Sequence, residues 1–61
     1  MRFTIQYQVS KDLILGFETN AGGWIFYRKS EGMCSRVYKQ RHHATTDLHT
    51  GRYKTNRIAK A

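Results

Sequence analysis

The chain has 61 residues, a net charge of +7, one cysteine and no proline. That length permits one domain, burying only roughly 60% of the surface its unfolded form exposes, and a lone cysteine, Cys34, excludes an internal disulfide as a source of extra stability. No apolar run is long enough for a membrane-spanning helix or a secretory signal, so the expected location is the reducing cytoplasm, with no membrane partner.

Residues 2 to 9, RFTIQYQV, alternate throughout, with Phe3, Ile5, Tyr7 and Val9 on one side and Arg2, Thr4, Gln6 and Gln8 on the other. That is the pattern of a half-buried strand. SKD turns the chain and LILGFET follows with Leu13, Leu15 and Phe17 in phase. A three-residue loop pairs Val9 with Leu13, Tyr7 with Leu15 and Ile5 with Phe17, which keeps every apolar side chain on one face. NAGG is the next turn. With Ala21-Gly22 as its tip, Phe17 faces Phe26 and Thr19 faces Trp24, while Gly16 faces Tyr27, whose ring would cover the glycine. The turn around Glu31-Gly32 then sets Phe26 opposite Val37, Tyr27 opposite Arg36 and Ile25 opposite Tyr38, with Cys34 across from Lys29.

The C-terminal third, HHATTDLHTGRYKTNRIAKA, has Leu48, Tyr53 and Ile58 as its only large apolar residues, spaced five apart, which fits neither a helix nor a strand throughout. DLHTGRY reads as a hairpin that pairs Leu48 with Tyr53 and Asp47 with Lys54. The alternative is a short helix capped by Thr46 or Asp47 and interrupted at Gly51. A hairpin or fifth strand with a loose basic end is favoured, the last residues lying extended against a partner or disordered. The expected class is all-β: a small antiparallel meander of four to five strands, with an SH3-like or OB-like barrel as its closed form and a dimer as the consequence of an uncovered face. Residues 1–43 would form the sheet domain and residues 44–61 a basic C-terminal hairpin or extended tail.

Charge is distributed unevenly. Residues 1 to 27 balance two basic against two acidic side chains, whereas residues 28 to 61 carry nine basic against two acidic. Such asymmetry points to a polyanionic partner, DNA or RNA before an acidic protein. The expected registers gather Tyr27, Lys29, Arg36 and Tyr38 on the face opposite the core. There the two tyrosines would stack on bases and Arg36 would bind phosphate or guanine. Lys39, Arg41, Arg52, Lys54 and Arg57 are the expected phosphate partners. The competing reading packs Tyr27, Tyr38 and Ile25 as a second small core.

Catalysis and metal binding find little support. Cys34, His42, His43 and His49 lack the paired spacing of zinc sites. A nuclease centre of His42, His43, His49 and Asp47 would need more carboxylates than a chain with four scattered ones supplies. No enzyme activity, metal or cofactor is expected, and the histidines extend the basic strip. The run GGWIFYRKSEGMCSRVYK, residues 22 to 39, resembles a two-stranded piece of the small sheets with which integrase arm-binding domains grip DNA. That resemblance implies a DNA-binding sheet followed by a helix, and no helix signal follows it. The leading function is a small nucleic-acid-binding module, monomeric or homodimeric. The alternative is a viral or mobile-element accessory protein that docks on a larger acidic host protein to inhibit or redirect it. Salt separates them, since nucleic-acid affinity falls by ~0.7–0.9 log units per log unit of salt for each phosphate neutralised.

Overall fold

The computed structural model describes residues 3–55 and 57–60, with side chains through residue 54. Four hairpin-connected strands come first: β1 (Ile5–Gln8), β2 (Leu13–Glu18), β3 (Gly23–Arg28) and β4 (Met33–Ser35). A helix, α1 (Arg41–Thr50), a 3-10 turn (Arg52–Thr55) and β5 (Arg57–Lys60) complete the chain. The five strands form one antiparallel sheet in sequence order, with β1 and β5 at its edges. It is an open sheet with one short helix, not a closed barrel.

The first hairpin has the register its alternation predicts, Ile5 with Phe17 and Tyr7 with Leu15. The next two are each displaced by two residues from expectation: Phe17 meets Trp24, Leu15 meets Phe26, and Tyr27 meets Cys34. Turn length is the cause. Both loops use four residues, with Gly22 (φ 73°) and Gly32 (φ 63°) supplying a left-handed last position whose N–H returns to the carbonyls of Glu18 and Arg28 at 2.9 Å. An even displacement preserves the faces of β2 and β3, so Leu13, Leu15 and Phe26 still share the core side.

β4 breaks the pattern. Between the pairs Tyr27–Cys34 and Trp24–Tyr38, three steps along β3 match four along the other chain, so one residue is extra. Ser35 absorbs it: its buried Oγ accepts the Phe26 N–H at 2.9 Å and donates to the Arg36 carbonyl at 2.9 Å, standing in for a backbone group of the ladder. An odd shift flips the side chains that follow. Tyr38 therefore turns into the core beside Phe26 (ring centroids 6.0 Å apart), and the expected pairs Ile25–Tyr38 and Tyr27–Arg36 do not form.

Residues 41 to 50 are helical, in place of the hairpin that the sequence predicts between Leu48 and Tyr53. The signals that normally mark a helix are missing: Gln40 at the N-cap makes no side-chain bond, and the first turn has no acidic residue. Instead Thr45, Thr46 and Thr50 return their hydroxyls to carbonyls one turn back, at 3.1, 2.9 and 3.3 Å. An isolated helix this short is marginal in water, so docking must hold it. Ala44 is fully buried against the sheet, Leu48 packs beside it, and Asp47 accepts the Tyr38 hydroxyl at 2.8 Å. The helix ends at Gly51 in the left-handed region, and Tyr53 turns back onto Phe26 with ring centroids 4.8 Å apart. The fifth strand lies at residues 57–60, later than the hairpin reading placed it.

On the reverse face Ile14, Ile25 and Cys34 are buried as well. Thr4 forms a bend, so Phe3 leaves the phase of β1 and lies over Gly16, where any Cβ would overlap its ring. Phe3, not Tyr27, is the aromatic that covers the glycine; Tyr27 packs beside it with centroids 6.3 Å apart. Ser35 supports the sequel of the whole chain, so Ser35→Ala should cost about 1–3 kcal/mol by leaving the buried Phe26 N–H unpaired. Urea unfolding of the two proteins measures it.

Candidate nucleic-acid interface

Three aromatic rings gather where α1 leaves the core face uncovered. Tyr7 of β1 lies against Trp24 of β3 (centroids 6.0 Å, 27° between planes), and Phe17 of β2 meets Trp24 edge-on at 5.5 Å. The cross-strand pairing of Phe17 with Trp24 fixes this group. Tyr7 and its neighbour Ile5 remain 44% and 51% exposed.

Arg41, the first residue of α1, reaches across this group. Its guanidinium carbon sits 5.2 Å from the Tyr7 centroid and 6.0 Å from that of Trp24, and one nitrogen donates to the Tyr7 hydroxyl at 2.7 Å. A guanidinium tied to a tyrosine hydroxyl beside two rings keeps its remaining donors available, with less rotamer freedom to lose on binding. Next to Arg41 in the chain, an open groove of about 530 Å³ is lined by Arg36, Lys39, Gln40, His43, Thr46 and Asp47. Arg36 holds its guanidinium 5.3 Å from the Tyr38 centroid, and Lys39 is exposed.

The expected platform is dispersed by these placements. Tyr27 is half-buried on the reverse face and Tyr38 is buried under α1, so they lie on opposite sides of the sheet. Lys29 is exposed in the β3–β4 turn, with Nζ 3.4 Å from the Gln8 side-chain oxygen. Arg52 and Lys54 are exposed on the 3-10 turn, and the Arg57 side chain lies outside the described residues. Arg36, Lys39 and Arg41 are the expected cations that the fold does bring near one another, along one stretch of chain. Arg28 is committed to structure instead: it is 3.7 Å from Asp12 and 3.8 Å from Glu31, and it donates to the Tyr53 hydroxyl at 3.1 Å.

Tyr7 and Trp24 were assigned to the core by alternation. The signal that could have exposed them is area: Ile5, Tyr7, Phe17 and Trp24 widen the core face beyond what Ala44 and Leu48 can cover.

Other groups serve the fold. Asp12 accepts the Ser30 hydroxyl at 2.5 Å and the Ser30 N–H at 2.7 Å, and the hydroxyl bond is the main reason its carboxyl lies below its ordinary value. Burial pushes the Cys34 thiol above its ordinary value, the opposite of a reactive cysteine. Cys34 faces Tyr27, not Lys29. Among the described residues, no three His, Cys, Asp or Glu side chains gather as a metal site would require. His42 and His43 meet edge to face at 4.2 Å.

Comparison of the chain with protein-family models, with characterised proteins and with solved structures gives no match. The resemblance to arm-binding sheets therefore rests on residues 22 to 39 alone.

Tyr38 gives this region a pH signature. Burial first, then its bond to Asp47, pushes its hydroxyl up to about 12, against roughly 10 for an unfolded tyrosine. The folded state thus holds this proton more tightly. The stabilisation is complete below pH ~10 and is lost as pH rises from there toward 12. Urea midpoints measured through that window should fall, and Tyr38→Phe should flatten the fall.

Proposed function

We propose that this protein is a small nucleic-acid-binding module without catalytic activity. Its contact surface joins the Tyr7–Trp24–Arg41 cluster to the groove of Arg36, Lys39 and His43. The observation that carries this reading is Arg41, an exposed guanidinium already oriented over two aromatic rings beside a cationic groove. Exposed rings stack on unpaired bases while neighbouring cations take phosphates. The concentration of positive charge in the second half of the chain supports the same partner. Arg52 and Lys54 add attraction from the 3-10 turn, outside the contact surface.

Fluorescence anisotropy with labelled single-stranded DNA and RNA tests it. Tyr7→Ala and Arg41→Ala should each weaken binding by ~1–3 kcal/mol, whereas Lys54→Ala should mainly reduce the slope against salt, by about one unit. Trp24 is the only tryptophan, so ligand stacking should also quench its emission. Unchanged affinity in folded Tyr7→Ala and Arg41→Ala would overturn the assignment of the surface. Absence of binding, with capture of an acidic protein that survives nuclease treatment, would replace this reading with the accessory-protein one.

A further inference from the structure

The β1 edge differs from the rest of the surface. Residues 3 to 10 carry no charge in a chain of net charge +7, and all four residues of β1 are exposed. Soluble proteins usually protect an open edge with lysine, proline or a bulge, and IQYQ contains no lysine or proline. The Val9 N–H points inward, to the Leu13 carbonyl at 2.9 Å. Alternation in an antiparallel ladder then aims the backbone groups of Tyr7 and Ile5 at β2, and those of Gln6 and Gln8 outward.

We propose that β1 is a homodimer interface, two copies pairing their β1 strands antiparallel about Gln6 to make one continuous sheet. In that register the two Gln6 residues exchange N–H···O bonds, and Gln8 N–H meets the Thr4 carbonyl of the second copy. Ile5 of each copy lies across from the other's Tyr7 on the same face, so the two most exposed large apolar side chains among the described residues cover each other. The Thr4 N–H is already given to the Phe17 carbonyl at 2.9 Å, so the ladder extends no further. Charge selects the occupant. Residues 3 to 10 carry no charge of their own, so two copies can pair β1 to β1 without setting one strand's cation against the other's. The cations that reach this edge, Lys29 at the Gln8 side chain and Arg41 at the Tyr7 hydroxyl, already bond within their own chain. Five paired residues, 4 to 8, span only about 16 Å, so association depends on concentration in the manner of small interfaces. The two-fold axis would set both Tyr7–Trp24–Arg41 clusters on one face of a shared sheet, but the dimer does not depend on what those clusters bind.

Sedimentation equilibrium of nucleic-acid-free protein, from low micromolar to millimolar, is the test. The mass should rise from the 7.2 kDa of one chain toward twice that value, and hydrogen exchange at the Gln6 amide should slow as concentration increases. Gln6→Pro removes an outward N–H that the monomer does not use and should hold the mass at one chain. Ile5→Lys should do the same by adding a cation on each side of the axis, and it decides the matter if Gln6→Pro fails to fold. A wild-type mass of one chain at every concentration overturns the proposal, as does a dimer that persists in folded Ile5→Lys with the Gln6 amide unprotected. A dimer seen only after an oligonucleotide is added overturns it as well.

Discussion

A single hydroxyl sets the second half of the molecule. By accepting the Phe26 N–H and donating to the Arg36 carbonyl, Ser35 lets one extra residue enter opposite β3 without leaving a buried backbone donor unpaired. That extra residue turns Tyr38 to the core side. Tyr38 then supplies an edge for Phe26 and a hydroxyl for Asp47, so a helix with weak intrinsic tendencies acquires a docking place. Without the flip, Tyr38 would face away and α1 would keep Ala44, Leu48 and the contacts of Arg41 with Tyr7 and Trp24 to hold it.

The same economy explains where the functional surface lies. A helix that buries one alanine fully cannot cover a sheet face that carries Val9, Leu13, Leu15, Phe26 and Tyr38 and also the Tyr7, Phe17 and Trp24 rings. What it leaves is the Tyr7–Trp24 end, and its first residue, Arg41, reaches back over those rings. Cations also divide by role. Arg28 is drawn between two carboxylates and a tyrosine hydroxyl, whereas Arg36, Lys39 and Arg41 stay at the surface along one stretch of chain. Net charge alone does not distinguish these two fates.

Alternation carried the reading of β1 to β3 because a strand's period is unambiguous when apolar and polar residues strictly interleave. The first register follows from it directly. The second and third registers differ from a two-residue-tip expectation because each turn uses four residues, and the faces are preserved because the difference is even. Tyr38 was placed on the wrong face because a bulge leaves no trace in alternation, and Ser35 reads as an ordinary polar residue. Phe3 escaped for a similar reason, a bend at Thr4. The helix was hidden by composition: threonines and histidines with little periodic apolarity give no amphipathic signal, and its stability comes from a partner distant in sequence. For the site, the basic residues were legible and their grouping was not, because grouping depends on that same helix.

The burial of Cys34 ties chemistry to folding. A thiol 1% exposed and disfavoured as thiolate meets oxidants only in molecules whose sheet has already opened. Once sulfinic acid forms there, its charge cannot return to so buried a site, and the change is not reversed by ordinary reductants. Oxidation thus acts as a ratchet. Each transient opening carries a small chance of permanent removal from the folded pool, so the lifetime of the protein under oxidative stress is set by how often its sheet opens.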